Sequence, residues 1–271
     1  MNSNPKLVII DGHNFLWRAY SVPFSFHSRK GTPLHVVTMY LKLLRSAVAA
    51  APGFTKSDRL VVVFDTDTPN ANSELSPAYK ANRRSFTDEE ESPYKHIPRV
   101  QKALDTIGVK YLEVPNYEAD DVVASLARLF STEAKGECYI VSWDTDFFQL
   151  VREGVSILKL KTQGEVDIID ESYVVQKVGV LPSEYVFYKS LMGDTADNIQ
   201  GVPGIGPVRA RKVVNKLLPF DANKYQAVLA LNSKLITLNE HVPLQSMLSE
   251  FTINPQSFDL TNQEVFTKCD F

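Results

Sequence analysis

A chain of 271 residues, 44% hydrophobic and 23% charged, has the make-up of an ordinary globular protein, with room for one large domain or two small ones. Its longest apolar runs, such as Leu60 to Phe64 and Ala47 to Ala51, cannot span a bilayer, and Met1 to Lys6 lacks the basic-then-apolar order of a signal peptide, so a cytoplasmic protein without membrane contact is expected. Its two cysteines, Cys138 and Cys269, make no disulfide framework and no zinc spacing, and the net charge of −3 argues at first against a nucleic-acid partner.

In chain order, Leu7 to Ile10 predicts a strand over 7–11 that ends on Asp11. Apolar residues at helical spacing from Val36 to Ala49 predict a helix, and Leu60 to Phe64 a second strand ending on Asp65. From there to a helix beginning near Ile97 no strand pattern occurs. That stretch holds Tyr79-Lys80-Ala81-Asn82-Arg83-Arg84, the acidic run Asp88 to Glu91, and Lys95-His96. So long a connection inside a compact domain is functional or disordered, and it reads as a charged arch at about 72–98.

Strands over 109–114, 137–142 and 155–160 follow. Between the first two, a helix over 117–130 carries Glu118, Asp120 and Asp121 in its first turn, where the dipole favours acids. Asp144 and Asp146 close the 137–142 run. Past about residue 180 the strand signals cease and short helices with Gly and Pro turns take over, with Asp194 and Asp197 among them. The expectation is an α/β fold, a doubly wound and mostly parallel sheet over 1–180, with a helical region over 181–271. Gly201 to Val213 reads as a helix–hairpin–helix element, at about 198–218, whose Gly204-Ile205-Gly206 lets backbone approach a phosphate.

Nine carboxylates thus fall in five clusters: Asp11; Asp65; Glu118, Asp120 and Asp121; Asp144 and Asp146; Asp194 and Asp197. Most follow a strand, and ligands of open α/β sheets bind outside the carboxyl ends of strands. So many like charges in one place call for cations, and all-oxygen ligands suit Mg²⁺ or Mn²⁺, with room for two. Set aside, the nine leave 23 acids against 29 basic residues, about +6, compatible with a phosphate-binding surface around a metal-filled pit. A two-metal phosphodiester hydrolase is the reading.

The motifs Asp11-Gly12-His13-Asn14, Phe64-Asp65, Tyr79-Lys80-Ala81-Asn82-Arg83, Glu118-Ala119-Asp120-Asp121, Ser142-Trp143-Asp144-Thr145-Asp146, Gly193-Asp194-Thr195-Ala196-Asp197-Asn198 and Gly201-Val202-Pro203-Gly204-Ile205-Gly206, in this order over about residues 6 to 218, resemble the 5′-nuclease family. That family comprises the 5′-nuclease domain of bacterial DNA polymerase I and the stand-alone phage flap endonucleases. The resemblance implies a first metal on Asp11, Asp65, Glu118 and Asp120, Asp144 near both metals, and a second amid Asp146, Asp194 and Asp197, with Asp121 completing the network. It implies that Lys80 reaches the scissile phosphate from the arch with Arg83 beside it, and that Arg18 contacts phosphate. Tyr79, Arg84, Gly201, Val202, Gly204, Gly206, Arg209, Arg211 and Lys212 would meet DNA, with K⁺ held by hairpin carbonyls. A stand-alone monomer acting on flapped or branched DNA, or on RNA–DNA hybrids, is implied. Two departures stand out: Asn72 occupies a position where family members often carry arginine, and the arch is unusually acidic.

Other readings attach to the same residues. A lone Asp at a strand end is commonly a cap or turn residue, and a lone arginine a solvated one. Asp65-Thr66-Asp67-Thr68 matches the entry motif of haloacid-dehalogenase-type phosphatases, with Asp65 as covalent nucleophile, but leaves the other acids without a role. His13 invites a general-base role less well supported than the metal reading. Trp17, Phe147, Phe148 and Cys138 read as core.

Overall fold

The computed structural model describes residues 4–23, 25–28, 31–66, 68, 72, 75–81, 92–161 and 164–271. Arg83, Arg84, the acidic run Asp88 to Glu91, and Asp67 lie outside the described residues.

Aliphatic runs become strands where expected: β1 (Lys6–Asp11), β2 (Arg59–Phe64), β3 (Lys110–Glu113), β4 (Glu137–Val141) and β5 (Val155–Leu160). They form one sheet with β6 (Val166–Ile169) in the order β3-β2-β1-β4-β5-β6. All neighbours are parallel except β6, which returns antiparallel on β5. β6 has no counterpart among the predicted strands, because its four residues are an edge strand with little buried side chain and give no apolar run. The order reverses between β1 and β4, so the crevice of this sheet opens where Asp11 and Asp144 stand.

Consecutive residues of β1 serve opposite faces, as a strand covered on both sides requires. Val8 and Ile10 join Phe15, Leu16, Tyr40, Leu41 and Leu104, from α1 (Gly12–Tyr20), α2 (His35–Ala50) and α3 (Ile97–Ile107). Leu7 and Ile9 join Val123, Leu126 and Phe130 of α4 (Ala119–Thr132) on the other face. Cys138, Phe147 and Phe148 are buried there too.

After α5 (Glu171–Val178) the chain is mainly helical, with α6 (Tyr185–Met192), α7 (Pro207–Val214) and α8 (Gln226–Ile236). This region docks on the same core through Tyr185, Tyr188, Leu191 and Val213. The strand signal does not cease entirely at 180. Gly193–Asp194 pairs with Ile199–Gln200 in a two-residue ribbon that pinches the Asp194–Asn198 loop into a fixed turn, too short to leave a pattern in sequence. Pro93–His96 is a 3-10 turn, with Pro93 and His96 buried and Tyr94 edge-on to His13 and Trp17. No helix among the described residues is long and apolar enough to cross a membrane.

Candidate active site

The carboxyl ends of the parallel strands deliver the first group of acids. Asp11, the last residue of β1, is buried and caps α1 by accepting the Asn14 amide at 3.1 Å. Its other oxygen accepts the Ser142 hydroxyl at 2.7 Å, and Ser142 Oγ in turn accepts the Asp144 amide at 3.0 Å. One hydroxyl therefore ties the end of β1 to the loop after β4. Asp65, just past β2, accepts the Ala119 amide at 2.7 Å, so a strand-end acid caps α4 from outside. Its own amide donates to His13 Nδ1 at 3.0 Å, which gives His13 a structural task.

The N-terminus of α4 brings Glu118, Asp120 and Asp121 to the same edge. Glu118 is buried and heavily engaged: it accepts the Lys80 ammonium at 2.7 Å, the Tyr79 hydroxyl at 3.2 Å and the Asn72 amide at 3.3 Å. Asn72, noted in sequence only as a departure, is thus a partner of a candidate metal ligand. Asp121 accepts the Asn239 amide at 2.8 Å, so one of its oxygens is committed to the C-terminal region.

Electrostatics record how crowded this edge is. Burial pushes Asp11 up to about 7, against hydrogen bonds from Ser142 and Asn14, with Asp144 and Asp65 adding repulsion. Asp120 is raised well above the carboxylate range, by burial first and then by Asp144, Asp11 and Asp65. Burial likewise takes Asp121 up to about 6.

The second group is Asp146, Asp194 and Asp197, each offering an oxygen within 4.8 Å of the others. Asp146 opens the 3-10 turn Asp146–Leu150, and its amide donates to Asp144 at 2.8 Å, which joins the two groups. Asp194 closes its own loop by accepting the amides of Ala196 at 2.8 Å and Asp197 at 3.4 Å. Between Asp146 and Asp194 lies the ammonium of Lys189, from α6, 2.5 Å from the Asp194 carboxylate and also bonded to Asp146. Lys189 is only 3% exposed. The two carboxylates raise its pKa despite burial, and the lysine holds Asp194 below the usual carboxylate range against the effect of burial. Burial still takes Asp146 up to about 6. Lys189 was missed in sequence, where a helix lysine carries no signal of what it faces.

The base of the expected arch rests on this second loop. Lys80 adopts φ +55°, its amide donates to the Asp197 carbonyl at 3.0 Å, and Asn198 donates to the Ala78 carbonyl at 2.8 Å. A non-glycine residue in the left-handed region is held there at some cost, and the result aims Lys80 at Glu118.

Of the remaining expected DNA contacts, Arg18 lies 4.0 Å from the Trp143 ring centre, in a groove that Trp17, Lys42, Lys159 and Lys161 also line. Trp17 is therefore a groove wall and not core. In the hairpin, Gly204 takes φ +77° and its carbonyl accepts the Arg209 guanidinium at 3.0 Å, while Gly206 precedes α7 with open space around it. Arg211 lines a cavity of about 240 Å³ beside Asp144, with Lys159, Lys177 and Tyr188. Lys212 is exposed in the last turn of α7. Val202 needs correction as a DNA contact, and Gly201 beside it is half-buried. Val202 is buried and its amide donates to the Leu191 carbonyl at 2.8 Å, and a Cβ on Gly201 would strike the Met192 backbone at 2.3 Å. Both residues pack the hairpin onto α6.

The family described as 5′-3′ exonuclease, N-terminal resolvase-like domain, matches residues 6–179. A 5′-3′ exonuclease of Aquifex aeolicus is 32% identical over 211 residues, covering 78% of this chain and 69% of the relative. The thermostable DNA polymerase I of Thermus thermophilus is 31% identical over 256 residues, covering 89% of this chain but 29% of that protein, so the chain spans under a third of this longer relative. In fold, it is similar to the T5 D15 protein co-crystallized with metal ions, with a TM-score of 0.68 at 20% identity, over 97% of this chain and 96% of that one.

Proposed function

The chain belongs to the 5′-3′ exonuclease family defined by that N-terminal, resolvase-like domain, and on this premise we propose that it is a divalent-metal-dependent 5′ nuclease. Its substrate in this reading is DNA with a 5′ end at a flap, nick or single-strand junction, or an RNA primer on DNA, and it acts as a monomer in the cytoplasm. The observation that carries the reading is that Asp65 and Asp144, just past the ends of β2 and β4, both act on Asp11 at the end of β1 and on Asp120 in the first turn of α4, so four acids meet at one sheet edge.

The residues present fit hard cations. Every donor is an oxygen, three of them lie within 4.8 Å of one another, and the raised pKa values mark sites that need positive charge. Asp11, Asp65, Glu118 and Asp120 would hold one ion and Asp146, Asp194 and Asp197 another, with Asp144 near both groups. Bound Mg²⁺ or Mn²⁺ supplies a hydroxide at neutral pH and offsets charge on the attacking and leaving oxygens.

The chain's own contribution follows from position. Ser142 and the α4 amide orient Asp11 and Asp65, so these acids do not have to be ordered when substrate arrives. Lys80, on a flexible stem beside Glu118, adds a compact charge where the phosphate becomes more negative. Gly204, Gly206 and the start of α7 offer backbone to duplex phosphates, with Arg209 and Lys212 adjacent, which gives binding without sequence readout. Arg18, on its Trp143 platform, adds a further phosphate contact.

The test is product mapping on a 5′-labelled double flap, a nicked duplex and an RNA-primed duplex, each with Mg²⁺ and with excess chelator. Cleavage near the junction that chelator abolishes is expected. Metal-independent cleavage, or hydrolysis of small phosphomonoesters through a phosphorylated Asp65, would sink the reading.

A further inference from the structure

The Lys189 ammonium lies between Asp146 and Asp194, within the carboxylate group that the nuclease reading assigns to the second ion. Lys189 follows Tyr185 by one helical turn and so shares its face, and Tyr185 packs at 5.6 Å on Phe148 of the 3-10 turn that begins with Asp146. Packing of α6 on that turn therefore delivers a lysine into the acids. A charge only 3% exposed is costly unless paired, and Lys189 is paired twice. A pocket spanned by 4.8 Å takes one cation. A divalent ion and an ammonium cannot both sit in it without strong repulsion.

We infer that Lys189 is the resident counter-ion of the second carboxylate group: it holds Asp146 and Asp194 assembled without metal, and a divalent ion must displace it to bind there. Lys189 is then a positioning residue that sets the affinity of that site and keeps it from filling at low metal concentration. The inference rests on the metal-nuclease reading above. A lysine needed only for folding would, on removal, weaken metal binding; a competitor, on removal, strengthens it.

The experiment is Mn²⁺ binding to the full chain, followed by the loss of the free Mn²⁺ paramagnetic signal, for wild type, Lys189→Met and Lys189→Arg. In Lys189→Met the weaker class of sites should tighten at least about tenfold, whereas Lys189→Arg, which keeps a cation, should bind no tighter than wild type. Without metal, Lys189→Met should melt lower than wild type, and Mn²⁺ should raise its melting temperature by more than it raises wild type's. Should Lys189→Met be unfolded in chelator, millimolar Mn²⁺ is expected to restore its far-ultraviolet circular dichroism. Unchanged or weaker binding in Lys189→Met, or a variant unfolded with and without metal, overturns the role of Lys189 alone. Failure of both wild type and Lys189→Met to bind Mn²⁺ at millimolar concentration overturns the metal reading as well.

Discussion

The two carboxylate groups solve one problem by different means. At the strand ends, burial and neighbouring acids take Asp11 up to about 7 and Asp120 well above the carboxylate range, so protons balance part of the charge. In the loop group, the buried Lys189 supplies a fixed positive charge and Asp194 stays below the usual carboxylate range. The cause is architectural. Strand ends are flanked by paired neighbours and aliphatic layers, where dipoles such as the Ser142 hydroxyl and the Ala119 amide reach Asp11 and Asp65, and Lys80 pairs with Glu118 at the rim. The loop group lies between a 3-10 turn and a helix, and a helix can aim a lysine across that gap. Proton-balanced acids are most strained when ionised; ammonium-balanced acids are most strained when their partner is lost.

The largest expected effect breaks the comparison outright. Asp120→Asn and Asp194→Asn should each lower single-turnover cleavage at least about a thousandfold, on the order of 4 kcal/mol. In chelator at pH 8, however, their stabilities should move in opposite directions: Asp120→Asn melts above wild type because folding no longer has to bury or protonate an acid there, and Asp194→Asn below it because Lys189 loses a partner. Calorimetric scans of the three proteins decide this, and two shifts of the same sign would end the distinction.

A smaller effect is expected at Lys80, the one described cation resting on the strand-end group. Lys80→Ala should reduce the saturated single-turnover rate by about a hundredfold, on the order of 2.7 kcal/mol, with little change in Kd for a flap substrate. Binding lost in proportion to rate would make Lys80 a gripping residue only.

The smallest expected effect is in pH dependence. A carboxyl raised in the folded state binds more protons folded than unfolded, so its contribution is present at low pH and lost as pH rises through the folded value. Metal-free stability should therefore fall between about pH 4 and about pH 7, the window set by Asp11 at about 7 and by Asp121 and Asp146 at about 6. Asp194, lowered, contributes in the opposite sense and is lost only at still lower pH. Urea unfolding in chelator across this range measures the slope. Asp11→Asn should flatten it, and saturating Mg²⁺ should remove most of it because cations replace the protons.

Much of this molecule was written along the chain. Strands buried on both faces must be largely aliphatic, so Leu7 to Ile10 of β1 and Leu60 to Phe64 of β2 read as uninterrupted runs, and the acids that follow the strands were legible as a group from position alone. The helix bearing Asp120 and Asp121 followed from its own spacing and dipole. What the tertiary structure decided are partners that local pattern does not encode. Nothing near Asn72 announces Glu118, nothing near Asp121 announces Asn239, and the hairpin residues Gly201 and Val202 turned out to face α6. β6 and the two-residue ribbon owe their existence to neighbours already in place, since four residues or two cannot hold an extended form by themselves. Lys189 is the sharpest case. Its residue type permits a solvated surface charge or a buried counter-ion, and only the packing of α6 against the Asp146 turn chooses between them, because the energy of a charge depends on what surrounds it in space and not on its neighbours in sequence.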